Sequence, residues 1–205
     1  LKRLQQTYHL KQLLEDVCNI GFVFEASDMW RAKGWLQTYY ADPDNNAFRF
    51  QLQAFVSHVN QVRSEAEREH DGTKPTVLFM ERSMYDQLLF WQMQIHMGYK
   101  SAIDKDNQEL YMELWSKWNN LIPPVELIFF CDTSNVQDSM KRIYNREGGE
   151  RDGSIIQSAG GIKLDYQTKL HALHVKTYTS PVASFFNGTK VSCEHLCTDG
   201  AYNTD

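Results

Sequence analysis

The 205-residue sequence lacks features that would assign it to several classes of protein. Its formal net charge is −5, so it has no overall basic character of the kind that nucleic-acid-binding proteins use. It has no apolar run of the roughly 20 residues that a membrane span requires. Its four cysteines do not form a disulfide framework. We therefore expect a protein of a reducing compartment, the cytoplasm, that binds neither nucleic acid nor membrane.

The cysteines are predicted to have structural roles. Cys18 and Cys131 lie in apolar surroundings and are expected to be buried free thiols. The spacing Cys193-x-His195-x-Cys197 brings together residue types that bind metals, but no second ligand cluster accompanies it. We therefore do not predict a metal site there.

The chain begins abruptly, with Leu1 and then the helix-like stretch LKRLQQTYHLKQLLEDV, which no helix-start signal precedes. We infer that residues are missing upstream and that the sequence is a fragment. No repeat or interdomain linker is visible. The length fits one domain, residues 1–205.

Hydrophobic patterning predicts alternating strands and helices. The predicted strands are Gly21–Glu25, Thr76–Met80, Val125–Asp132 and a weak last strand, Thr189–Glu194. The predicted helices are Leu1–Val17, Ala47–Glu67, one starting near Ser83, Asn107–Leu121, Ser134–Arg146 and Leu164–Tyr178, with a loop carrying Trp30 and Trp35. This alternation, with strands apolar on both faces, predicts an α/β fold with a parallel sheet covered by helices.

Charged residues close the first three predicted strands: Glu25, the pair Glu81-Arg82, and Asp132. In parallel sheets ligands bind beyond the carboxyl ends of the strands, so these residues predict a polar crevice. For a single carboxylate, simple solvation of a strand end is the better explanation. For a Glu-Arg pair between a strand and a helix, we favour function.

A second group of charges lies near a Gly-rich stretch, residues 147–161. Arg142 and Arg146 are four residues apart and share one helix face, and Arg151 follows. Arginines at the base of a mobile flap suit phosphoryl transfer, because they stabilise charge on the transferred group. The alternative is a solvated helix end held by salt bridges.

Four stretches, in order, resemble motifs of the deoxynucleoside kinases. They are FEASDMW, LQTYYADPDNNAFRFQ, FMERSMY, and RIYNREGGER followed by LDYQTKLH, and the resemblance runs from about Val17 to Tyr178. It implies a P-loop NTPase-like fold of the nucleoside kinase type, with a lid at about residues 142–163. It also implies a homodimer that uses ATP and Mg²⁺ to phosphorylate the 5′-hydroxyl of a deoxynucleoside in nucleotide salvage.

The resemblance also implies roles for individual residues. Glu25 would be the general base, Arg82 would hold its carboxylate and the phosphoryl path, and Glu81 would lie near Mg²⁺. The ATP phosphates would be contacted by Arg142, Arg146 and Arg151. The nucleoside would be bound by Trp30, Leu36, Tyr40, Phe50, Gln51, Gln87, Trp91 and Glu150. Among these, Gln51 would read the base by its amide, Phe50 and Trp91 would sandwich the base, and Tyr40 would hold the sugar. Each of these aromatic residues could instead belong to the core.

The sequence departs from the family pattern at several positions. Ala26 replaces a proline, His58 replaces a frequent arginine, and Gln87 occupies a position that helps set base preference. The lid, which includes Glu150 and Arg151, is about ten residues longer than is usual in the family. Base preference is therefore left open.

The string Gly-x-x-x-x-Gly-Lys-Ser/Thr, the phosphate-binding loop, does not occur in the sequence. The expected explanation is that the first strand and the loop precede Leu1, and loss of that central strand would expose apolar edges on its neighbours. An incomplete N-terminus also leaves a mitochondrial location possible. One alternative is a catalytically inactive structural or nucleoside-binding subunit. Another is a kinase of nucleoside monophosphates, against which Tyr40 and Gln51 argue.

Overall fold

The structure is a computed structural model that describes residues 16–68, 72–132, 135–140, 164–185 and 188–197. All but the last two residues of the predicted helix Leu1–Val17 lie outside these ranges. The predicted lid, residues 142–163, lies wholly outside them. None of the helices within these ranges is long and apolar enough to cross a membrane.

Strands and helices alternate along the described chain, as the sequence predicted. In chain order they are β1 (Asn19–Val23), α1 (Ser27–Ala32), α2 (Trp35–Ala41), α3 (Pro43–Ala66), β2 (Thr76–Met80), α4 (Met84–His96), α5 (Lys100–Ile103), α6 (Lys105–Asn119), β3 (Leu127–Asp132), α7 (Leu164–Tyr178), β4 (Val182–Ser184) and β5 (Lys190–Cys197). Residues 136–140 are also helical.

The first two strands form a parallel pair in which Val23 lies opposite Met80. Strand β1 therefore ends at Val23, two residues before the predicted end at Glu25. The reason is the length of its partner, since β2 stops at Met80. The Glu81 backbone N–H donates to the Val23 carbonyl at 2.8 Å and closes the ladder.

The other three strands form a sheet in the order β3-β5-β4. β5 is parallel to β3, which confirms the predicted parallel arrangement, and antiparallel to β4, which the sequence did not predict. Burial alternates along β3, with Leu127, Phe129 and Cys131 on its exposed face. The prediction that Cys131 is buried was therefore wrong, whereas Cys18 is a buried free thiol as predicted.

Apolar side chains are exposed on β2 and β3, and within the described ranges no strand pairs with both. Val77 is 41% exposed, Leu127 42% and Phe129 55%.

The segment predicted as a loop carrying Trp30 and Trp35 is instead the helical pair α1 and α2. Gly34, between them, has φ of 70°, a left-handed conformation that a side chain disfavours. The single glycine turns the chain from one helix into the next. Each helix is too short for its periodicity to be read from the sequence.

Helix α3 starts at Pro43, four residues before its predicted start. The Asp42 side chain caps it by accepting from the Asn45 backbone N–H at 3.3 Å. Pro43, at the first helical position, has no backbone N–H that would need a partner. Near its other end the helix lies close against β1. A Cβ at Gly21 would lie 2.7 Å from Glu65 Oε1 of this helix.

Helices α3, α4 and α6 form the centre of the core. Phe55, Met84, Leu88 and Tyr111 are fully buried there. The aromatic stripe of α6 packs inward, with Phe55 5.8 Å from the Tyr111 ring. Tyr111 and Trp115 of α6 therefore belong to the core.

Candidate active site

The carboxyl ends of β1 and β2 bring two predicted catalytic residues together. Glu25 and Arg82 each follow by two residues the aligned pair Val23 and Met80. Arg82 Nη1 lies 2.6 Å from Glu25 Oε1. The Glu25 side chain is 17% exposed and that of Arg82 43%, so the pair is within reach of a ligand from solvent.

The backbone at Arg82 is in a left-handed conformation, with φ of 66°, which no other non-glycine residue in the described ranges shares. Such a conformation costs about 1 kcal/mol for a residue with a Cβ, and it typically persists where function requires it. The guanidinium of Arg82 also lies over the Phe90 ring, 4.5 Å from the ring centroid. Two contacts therefore hold the guanidinium beside Glu25.

The residue after Arg82 starts helix α4 with a capping box, an element that the sequence signals by Ser83-x-x-Asp86. Asp86 Oδ2 accepts from the Ser83 backbone N–H at 2.6 Å and from its hydroxyl at 3.0 Å. Asp86 Oδ1 accepts from the Tyr178 hydroxyl at 2.8 Å. The buried Asp86 thus ties the turn that carries Arg82 to α7, a role that sequence reasoning missed.

The predicted metal-binding residue, Glu81, is exposed. Within the described ranges, no three or more His, Cys, Asp or Glu side chains are arranged so that they could hold a metal ion. A single carboxylate is compatible with Mg²⁺, which commonly binds one or two carboxylates together with substrate phosphates and water. Glu81 therefore fits the ion, and Mg²⁺ would stabilise negative charge on transferred phosphate when bound.

On the inner side of the site, Gln51 is buried, with 2% exposure, and its amide bonds to the protein. Gln51 Nε2 donates to the Gln87 carbonyl at 3.1 Å and to Gln87 Oε1 at 2.9 Å. Gln51 Oε1 accepts from Gln94 Nε2 at 3.0 Å. We call these three residues the glutamine chain. Gln51, predicted to read the base directly, is thus engaged by its neighbours.

His58 lies on the same helix, two turns beyond Gln51, and is 2% exposed. Burial, with a smaller effect of the Arg82 charge, lowers the pKa of His58 from 6.5 to about 4 although the Asp86 charge opposes it. His58 is therefore neutral at pH 7. Its Nε2 atom and Gln94 Oε1 are buried without a hydrogen-bond partner among the described residues.

Two predicted pocket residues, Trp30 and Leu36, belong to the helical pair, and a third, Phe50, packs against them. Trp30 is buried, and its Nε1 donates to the Ser57 hydroxyl at 2.9 Å. Its ring meets Phe50 edge-on, 5.6 Å between centroids. Leu36 packs against the same small cluster. The structure thus groups Trp30, Leu36 and Phe50 on one side of the candidate site.

The second predicted wall of the base sandwich, Trp91, is buried in the core. Trp91 is 1% exposed and stacks on Tyr111 at 4.7 Å, while Phe50 stacks on Tyr39 at 4.8 Å. No ring contact joins Phe50 to Trp91 within the described structure. In this conformation each ring is covered by a tyrosine.

Tyr40, the predicted sugar-binding residue, belongs to a group of tyrosines. Its ring lies 5.2 Å from that of Tyr39. Burial raises the pKa of Tyr39, and so, less strongly, do neighbouring tyrosines, including Tyr166 on α7, to which it hydrogen-bonds. Sequence reasoning missed Tyr39 and Tyr166, and the doubled tyrosine at 39–40 is the signal that could have indicated the first.

A cavity of about 820 Å³ lies between β1, α1 and α3, outside this group of residues. It is lined by Phe22, Val23, Phe24, Met29, Lys33, Trp35, Leu52, Gln53, Val56, Ser57, Asn60, Gln61, Ser64 and Glu65. None of the predicted site residues lines it.

The remaining predicted residues, Glu150, Arg142, Arg146 and Arg151, lie outside the described ranges. Asp132, at the third strand end, lies 2.8 Å from His171 Nε2 and 3.5 Å from His195 Nε2, with which it forms a cluster at the end of β3.

Comparison with known proteins agrees with the motifs on which this site was built. A family model described as Deoxynucleoside kinase matches residues 7–199. The chain therefore belongs to the deoxynucleoside kinase family, which has the P-loop kinase fold. A probable deoxycytidine kinase of fowlpox virus (strain NVSL) is 27% identical to this chain over 157 residues. The match covers 75% of this chain and 59% of the viral protein, so the chain spans about three fifths of the length of that curated relative.

Proposed function

We propose that the full-length protein transfers the γ-phosphoryl group of ATP to the 5′-hydroxyl of a deoxynucleoside, in nucleotide salvage. The observation that carries this proposal is the pairing of Glu25 with Arg82 at the ends of two aligned parallel strands. Family membership supports the reaction class, and the geometry supports the assignment of roles.

In the proposed mechanism Glu25 accepts the proton of the 5′-hydroxyl as that oxygen attacks the γ-phosphorus. Arg82 keeps the Glu25 carboxylate oriented and offers its remaining N–H groups to the transferred phosphoryl group. The left-handed backbone and the Phe90 ring hold the guanidinium in place before substrate arrives. Glu81 is the proposed Mg²⁺ residue, and Arg142, Arg146 and Arg151 are the proposed ATP-binding residues.

Nucleoside binding is proposed for the side of the site where Trp30, Leu36 and Phe50 pack together. Tyr40 would contact the sugar, as the resemblance implies. Phe50 and Trp91 are the proposed walls for the base, and Gln51 and Gln87 are the proposed polar residues on this side. Glu150 is proposed to contact the substrate from the lid.

We further propose a cytoplasmic homodimer. Leu110 and Leu121, on or next to α6, are 43% and 53% exposed, which leaves apolar side chains available to a second copy. Light scattering of the purified protein tests this, and a monomer at all concentrations contradicts it.

The reaction is tested with the four deoxynucleosides and their monophosphates as acceptors, ATP as donor and the full-length protein as enzyme. Phosphorylation of at least one deoxynucleoside is expected. Turnover of monophosphates alone contradicts the proposal. Binding of a deoxynucleoside without turnover identifies the alternative, an inactive nucleoside-binding subunit.

A further inference from the structure

Strand β1 uses one of its two edges to pair with β2. In a parallel ladder alternate residues bond to the neighbouring strand through both their N–H and C=O groups, and the residues between them point the other way. The Asn19 N–H donates to the Pro75 carbonyl, and the Val23 carbonyl accepts from the Glu81 N–H, both at 2.8 Å. Asn19 and Val23 therefore face β2, and the backbone groups of Phe22 face the opposite edge.

A side-chain contact supports this assignment. Arg68 Nη2 donates at 3.2 Å to the carbonyl of Ile20, which has the same direction as Phe22 because the two residues are two apart. The Ile20 carbonyl is thus bound from outside the β1–β2 pair. In the part of the chain that the structure describes, β1 pairs with β2 alone, and no hydrogen bond uses the Phe22 backbone on its outer edge.

The cavity of about 820 Å³ lies at this edge. Phe22 and Phe24 line it from the strand, Leu52 and Val56 from α3, and Trp35 from α2. Unpaired backbone groups on a strand edge are a template for a further strand. Beside a helix and apolar side chains, such an edge suits an extended peptide, whose backbone pairs with the strand while its side chains fill the cavity.

The charges that line the cavity favour a partner with an acidic residue. Glu65 is paired with Arg68 at 3.1 Å. Lys33 lies over the Trp35 ring, 4.8 Å from its centroid, and forms no ion pair with a described carboxylate. The cavity therefore has one positive charge without a counter-charge among the described residues.

We propose that this cavity is a docking site for an extended peptide segment of a partner protein, which adds to the outer edge of β1 as a strand. The segment is apolar at alternate positions and carries an acidic residue where it passes Lys33. None of the predicted site residues lines the cavity, so this inference goes beyond the proposed function and does not depend on it.

Hydrogen exchange measured by NMR on the full-length protein tests the free edge directly. In the protein alone, the Phe22 amide should exchange faster than the Val23 amide, because only the second faces β2. Two probe peptides carry the acidic residue at either end: acetyl-Asp-Val-Ser-Val-Ser-Val-amide and acetyl-Val-Ser-Val-Ser-Val-Asp-amide. We expect one of them to protect the Phe22 amide, and protection by neither overturns the inference.

Methylation of the peptide nitrogens separates strand addition from simple apolar binding. One copy of the better peptide is methylated at the valine nitrogens and another at the serine nitrogens. Only one of these sets of N–H groups can face β1, so one copy should bind at least about tenfold more weakly and the other should bind normally. If both copies keep the affinity of the parent peptide, the cavity holds apolar side chains only, and the proposal of strand addition is wrong.

The variant Lys33→Gln tests the acidic position. It should weaken binding of the better peptide about threefold, the effect of an exposed ion pair, and leave the peptide with Asn in place of Asp unaffected. Lys105→Gln, an exposed lysine on α6, is the matched control and should change neither affinity. Equal effects of the two variants remove the acidic residue from the proposal.

The exchange and methylation experiments use the wild-type protein, so they decide the inference even if a variant does not fold. None of them measures phosphoryl transfer. A negative result therefore overturns the docking site and leaves the proposed function in place.

Discussion

The Glu25–Arg82 end of the candidate site and the glutamine chain differ in both charge and exposure. Arg82 is 43% exposed on its side chain and Glu25 17%, whereas Gln51 is 2% exposed and uncharged. The charged end has a strained backbone and few fixed partners. The neutral end is held by several hydrogen bonds. This division suits a site in which one end must accept phosphate and protons while the other must recognise a shape and a hydrogen-bond pattern.

The two ends are physically joined through the first turn of α4. Arg82 precedes the capping box, Asp86 belongs to it, and Gln87 follows directly. Because the Tyr178 hydroxyl of α7 donates to Asp86, α7 also contacts the turn that joins the two ends. Perturbing each end separately, or the junction between them, therefore tests whether they act independently.

The largest effect is expected at the charged end. Glu25→Gln in the full-length protein should lower turnover by about 10²- to 10⁴-fold, because the amide cannot accept the hydroxyl proton. Nucleoside binding should stay near normal. Turnover is measured as transfer from labelled ATP, and binding by calorimetry. Asp28→Asn, an exposed carboxylate on α1, is the control, and near-normal turnover of Glu25→Gln would rule out the base assignment.

At the neutral end, buried His58 should make the free energy of unfolding depend on pH. The folded-state pKa of His58 is about 4, below its ordinary 6.5, so the unfolded chain binds the proton more tightly. The stability that the folded protein gains from keeping His58 neutral is complete above pH 6.5, and it falls by about 3 kcal/mol as the pH drops through 4. Urea unfolding of wild type and His58→Gln between pH 7 and 4 should show a steeper loss in the wild type.

A matched variant on the surface controls for the general effect of removing a histidine. His96→Gln, exposed at the end of α4, should leave the wild-type pH profile unchanged. Parallel profiles for wild type and His58→Gln would mean that His58 is not buried in its neutral form.

At the junction, Tyr178→Phe should lower the free energy of unfolding by about 2 kcal/mol, because it removes a buried hydrogen bond to a charged carboxylate. Tyr85→Phe is the control, since Tyr85 packs on Phe185 and its hydroxyl makes no hydrogen bond to the described residues. Denaturant unfolding measures both variants. Equal losses would show that the Asp86–Tyr178 bond contributes nothing specific.

The smallest expected effect compares two substitutions of Arg82. Arg82→Gly should be about 1 kcal/mol more stable than Arg82→Ala, because glycine relieves the left-handed backbone and alanine does not. Both should lose activity, since neither carries a guanidinium. If the two variants unfold at the same denaturant concentration, the backbone at residue 82 is not strained.

Local signals in the sequence predicted much of what positions the site. Strand β2 and helix α7 have the predicted bounds, and helix α4 begins immediately after Ser83 as its capping residue indicates. The helical pair α1 and α2 was missed because each helix is too short for its periodicity to emerge. Cys131 was misplaced because local hydrophobicity does not report which face of a strand is covered.

The sequence by itself determined the types of the longer strands and helices, the Glu-Arg pair at a strand end and the family motifs, because these depend on neighbours within a few residues. Only the tertiary structure decided that Arg82 meets Glu25, 57 residues away, and that Gln51 is enclosed between Gln87 and Gln94. The register of a parallel ladder sets the first contact, and the packing of α3 on α4 sets the second. Such contacts also fix the direction of an amide, which a residue's identity leaves open.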